Sequence, residues 1–146
     1  MTTRSNLPLV YSCSGCSSAA QLANHLALRL DRAGLAEMSC IAGIGGDVPA
    51  LVAIARKAAR AGRPVLAIDG CALACARACL WQRGLAATEH VQLAEDGVRK
   101  SYHADFDPAE ADRLFDRLAQ RVAQLAAVSP GPSSAPDATT RRTAQG

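Results

Sequence analysis

With 146 residues and a formal net charge of +3, the chain is sized for one domain and shows a balanced surface, not a basic stripe. One Trp, two Tyr and two Phe give no stacking platform for single-stranded nucleic acid, so a nucleic-acid role is excluded. The first residues, Met1 to Tyr11, lack the apolar stretch of a signal peptide, and no apolar run approaches the roughly 20 residues of a membrane span, so no membrane partner is expected and the protein reads as cytoplasmic. In that compartment six cysteines point to metal binding or redox chemistry before structural disulfides.

Leu7 to Tyr11 predicts a short apolar strand that runs into Ser12-Cys13-Ser14-Gly15-Cys16-Ser17-Ser18. Ser18 with Gln21 fits a capping box, Leu22, Leu26 and Leu30 form an apolar stripe, and Gly34 supplies the stop. The unit is therefore strand, Cys-x-x-Cys loop, helix. A second strand is expected over about Ala36 to Ala42, interrupted by Ser39 and carrying Cys40 near its end. Gly43 to Gly46 reads as a tight turn, and Asp47 and Pro49 suit the cap and first positions of a helix containing Leu51, Val52, Ile54 and Ala58.

The third strand, from Val65, ends at Asp69-Gly70 and turns into a stretch with helix formers at nearly every position. Cys71, Cys75 and Cys79 lie four residues apart and are expected on one stripe of that helix, with Cys71 in its first turn, where free N–H groups favour a thiolate. His90 to Leu93 predicts a fourth strand nearer an edge, and Gly97 to Lys100 reads as a fifth strand or a loop. Asp107-Pro108-Ala109-Glu110 starts a helix whose apolar face is Leu114, Leu118, Val122 and Leu125. From Ser129 the Pro, Ser and Thr content without periodicity predicts a disordered tail, 129–146, behind a folded domain over 1–128.

Alternating strands and helices argue a three-layer α/β fold, with a short, mostly parallel sheet and helices on both faces. In such a sheet every strand-to-helix loop lies at the carboxyl edge, where ligands bind. All six cysteines then fall on one edge, and a strand order 2-1-3-4 makes the three groups converge. Zinc takes four ligands in a tetrahedron. Cys13 and Cys16, with Cys40 and one or two of the helix cysteines, would supply them; Cys71 and Cys79 lie about 12 Å apart along a helix axis and cannot share one ion.

The plainer reading of a cysteine is a small buried hydrophobe, and Cys79 beside Leu80 suits it as well as a ligand role. Six on one edge fit it poorly. Asp69 reads as a cap for the cysteine helix. His25, His90 and His103 lack ligand spacing, and Ala19 stands where a cysteine phosphatase loop would carry arginine.

Asp69-Gly70-Cys71, Cys13-Ser14-Gly15-Cys16-Ser17 and Met38 to Gly46, continued through Tyr102 to Asp107, resemble the DGC-domain family, named for the central tripeptide. The resemblance covers nearly everything ahead of the tail. It implies zinc bound by four cysteines, matching Cys13, Cys40, Cys71 and Cys75, with Cys16 and Cys79 as further candidates. Ala72 departs from the proline expected after the central cysteine and leaves the thiol intact. The expectation is a zinc-binding protein with the metal on Cys13, Cys16, Cys40, Cys71 and Cys75, leaning away from an enzyme. Its rivals are a thiol-disulfide oxidoreductase using Cys13 and Cys16, and an iron–sulfur protein.

Overall fold

A computed structural model describes residues 4–127; the tail expected over 129–146 lies outside them. Four parallel strands form one sheet in the order β2-β1-β3-β4, with β1 Leu9–Ser12, β2 Glu37–Met38, β3 Val65–Asp69 and β4 Glu89–Gln92. Every residue of β1 and β3 is buried, whereas β2 and β4 are mostly half-buried. That gradient explains the sequence pattern, since strands covered on both faces read as continuous apolar runs and edge strands alternate.

Helix α1 (Ser18–Arg32) lies on the sheet and packs against α5 (Pro108–Ala127). On the other side α4 (Cys75–Gln82) packs on β3, and α2 (Ile41–Gly45) bridges α4 and α3 (Pro49–Arg60). The three-layer α/β architecture and the strand order follow the sequence reading. Leu22, Leu26 and Leu30 of α1 and Leu114, Leu118 and Val122 of α5 are buried with the sheet in one core.

Several local expectations are corrected. The cap of α1 is Ser17, whose Oγ accepts the Ala20 N–H at 3.1 Å, and Gln21 reaches back to the Gly15 carbonyl. The second strand is only two residues long, and Cys40 caps a short helix made from the supposed glycine turn. Those glycines are needed for contact: a Cβ on Gly43 would lie 2.0 Å from Leu51 Cδ1, and one on Gly45 2.9 Å from Cys79 Sγ. Val48, not Asp47, is the cap of α3.

Residues 97–102 form a strap instead of a fifth strand. It is pinned to the start of α1 by an isolated bridge between Ser17 and Tyr102 and by hydrogen bonds from Ser18 N–H to the Ser101 carbonyl and from Ser101 N–H to Ser18 Oγ, 2.8 and 2.9 Å. No helix among the described residues is long and apolar enough to cross a membrane.

Candidate metal centre

Because all four strands run the same way, their carboxyl ends bring the loops after β1, β2 and β3 to one edge. Cys13 is the first residue past β1. Its N–H donates to the Ile68 carbonyl at 3.0 Å, and its sulfur accepts the Gly70 N–H at 3.2 Å, so it is clamped to the end of β3. Burial pushes the thiol up from 9.0 to about 11; the Gly70 N–H opposes this, and the charges of Asp69, Cys75 and Cys71 add to it. The contact with the Gly70 N–H sets the Cys13 sulfur beside the residue that precedes Cys71.

Cys71 does not begin the helix. The chain continues as a loop through Ala74, which holds the left-handed conformation at φ 50°, and α4 starts at Cys75. The Asp69 carboxylate sets that start by accepting the N–H groups of Ala76 and Arg77 at 2.7 and 3.1 Å, a capping role played from outside the helix. What Cys71 has beside it is Lys100 of the strap, whose ammonium donates to the sulfur at 3.6 Å. Hydrogen bonding to Tyr102, and then the Cys71 charge and sulfur contact, hold Lys100 above its ordinary range.

Cys75 is exposed at the first position of α4. Cys79, one turn on, is half-buried against Gly45 of α2, and burial raises its thiol. Cys16 is exposed in the loop after β1. Cys40 is exposed beyond β2, where its sulfur is among the groups adding to the burial-raised pKa of Tyr11. All six cysteines are free thiols. Among the described residues, no three His, Cys, Asp or Glu side chains are gathered closely enough to hold a metal ion.

Sequence reading missed two residues that shape this edge. His90 Nε2 lies 2.8 Å from Asp69 Oδ2, and as the carboxylate is an acceptor, the imidazole donates. The register that pairs Ala67 with His90 and Asp69 with Gln92 puts both side chains on one face, and no spacing in the sequence reveals that register. Lys100 was invisible for the same reason, since only the strap brings it to Cys71.

The DGC domain profile matches residues 9–118. The chain belongs to the DGC domain family. A relative, the anaerobic and virulence modulator AnvM of Pseudomonas aeruginosa, is 59% identical over 112 residues, covering 77% of this chain and 82% of that protein. No solved structure matches the chain. In this DGC domain the tripeptide Asp69-Gly70-Cys71 has three separate jobs. Asp69 caps α4, Gly70 gives its N–H to Cys13 and lets α1 approach, and Cys71 presents a thiol under Lys100.

Proposed function

We propose that this DGC domain is a zinc-binding modulator whose metal site is assembled at the carboxyl edge of the sheet. Cys13, Cys71 and Cys75 form its shared core, and Cys16 or Cys40 supplies the remaining thiolate. The observation that carries the reading is the Cys13 sulfur, held at 3.2 Å by the N–H of Gly70, the residue directly before Cys71, on the edge where α4 begins with Cys75. An all-sulfur donor set suits zinc. The ring of donors is open as placed, so binding draws the loop thiols toward the fixed Cys13. Bound by four thiolates zinc would be structural, and bound by three it would keep a position for water.

The likeness to a protein named as a modulator favours a regulatory role over catalysis. A thiol-disulfide exchange role for Cys13 and Cys16 is the weaker reading, since Ser14-Gly15 and the residues around them lack the aromatic and proline context of a thioredoxin-like site.

Elemental analysis with thiol counting on anaerobically purified protein tests the proposal. About one zinc per chain with protected thiols is expected, and a brown protein containing iron and inorganic sulfide overturns it. Within the chain the loss is graded. Cys71→Ser and Cys75→Ser remove tight zinc binding, because a hydroxyl is a poor ligand at neutral pH, whereas Cys79→Ala keeps the metal at a packing cost of about 1 kcal/mol.

A further inference from the structure

We propose that the outer face of α4 and the loop before it form a docking site for an apolar segment of another protein that carries a carboxylate. Leu73 and Trp81 are 71% and 75% exposed, the largest exposures among the exposed large apolar side chains. With Ala78 and Arg77 they line an open groove of about 420 Å³. Arg77 and Trp81 lie one turn apart on α4, and Leu73 of the loop before it lines the same groove, so the cation shares the patch with both apolar groups.

The charge of Arg77 selects the occupant. Among the described residues its side chain has no carboxylate partner; its Nη1 lies 3.5 Å from His90 Nδ1. Covering the groove removes water from this guanidinium, and a buried unpaired charge is costly, so a stable partner brings an acidic group to it. The groove itself contains none. A second copy docked about a two-fold axis would bring two Arg77 side chains into one patch whose lining holds no acid, which disfavours self-association. One cation beside two apolar side chains is also far from the basic face of a lipid-binding helix. Trp and Arg are the residue types that carry binding energy when an interface centre is dried. Cys75 occupies the first turn of the same helix, so an occupant of this groove borders the thiol edge. The proposal does not rest on zinc.

The test places a photo-crosslinking amino acid at Gln82, on the groove's rim, in the full chain in its own cells, and maps the adduct by mass spectrometry. The expected result is a protein adduct at a segment with apolar side chains flanking Asp or Glu, lost with Arg77→Glu and kept with Arg77→Lys. Trp81, the sole tryptophan, then reports binding of a synthetic peptide of that segment. Its emission shifts to the blue on binding, and Arg77→Glu weakens the affinity at least about tenfold, or about 1.4 kcal/mol. Circular dichroism confirms that the variants fold. An adduct with a second copy or with lipid, no adduct at all, or an affinity indifferent to Arg77→Glu overturns the proposal.

Discussion

Cys13 and Gly70 show how one residue governs another across the edge. A Cβ on Gly70 would stand 2.4 Å from the Ala19 carbonyl oxygen and 2.9 Å from the Ala20 nitrogen, both backbone atoms of α1 that cannot turn aside. Gly70→Ala therefore has to push the loop or the helix, at a cost of about 1–3 kcal/mol, and it displaces the N–H that holds the Cys13 sulfur. A lower melting temperature together with faster alkylation of Cys13 is the expected outcome; an unchanged alkylation rate would separate the two effects and contradict the coupling. In the parent chain Cys13, at 8% exposure and with its thiol near 11, should be the slowest of the six to react with iodoacetamide at pH 8. Peptide mapping of partially alkylated protein checks this. Either Cys16 or Cys75 surviving longer would show that the clamp does not protect it.

At the scale of elements, the cysteine helix shows what the sequence carried and what it could not. The strand before it was legible as an apolar run ending at Asp69-Gly70, and the strand's position put all the thiol loops on one edge. The helix start was not legible, because Cys-Ala-Leu-Ala has good local propensity and propensity is a weak prior. The Asp69 carboxylate decides the matter by capping Ala76 and Arg77, which leaves Cys71 in a loop free to meet Lys100. Likewise Gly43 and Gly45 read as a turn because their actual use, close contact with Leu51 and Cys79, exists only after α3 and α4 have packed. Asp69→Ala should fray the first turn of α4 and leave His90 Nε2 without its partner. Each buried donor left unpaired costs about 1–3 kcal/mol, so amide exchange at Ala76 and Arg77 should accelerate by well over tenfold. Retained protection at both amides would show that another group caps the helix.

For the whole molecule, topology was the most legible level, since right-handed crossovers between parallel strands leave few arrangements and the apolar density of the strands separates centre from edge. What binds the edge strand β2 to the rest was hidden: Asp31, near the end of α1 and 6% exposed, accepts the Met38 N–H and the Arg4 guanidinium, each at 3.0 Å, and pairs with Arg32. Burial alone would raise this carboxyl, but the Met38 N–H, Arg32 and Arg4 outweigh it and hold it below 3.8. A depressed carboxyl contributes stability that is present above its unfolded value of 3.8 and is lost as pH falls through the lower folded value. Cys13 works at the other end. Its folded pKa lies above its unfolded one, so its contribution is complete below 9.0 and is lost as pH rises toward about 11. Urea denaturation of the metal-free protein across pH should therefore give a plateau with an acid limb, to which Asp31 contributes, and an alkaline limb that Cys13 shares with the burial-raised Cys79 and Tyr11. Asp31→Ala lowers the plateau by about 1–3 kcal/mol, because the Met38 N–H is left unpaired, and makes the acid limb shallower; Cys13→Ala leaves the acid limb alone and makes the alkaline one shallower. An alkaline limb that survives Cys13→Ala unchanged would mean that this thiol does not titrate between 9.0 and about 11, and that its burial against Gly70 does not govern its protonation.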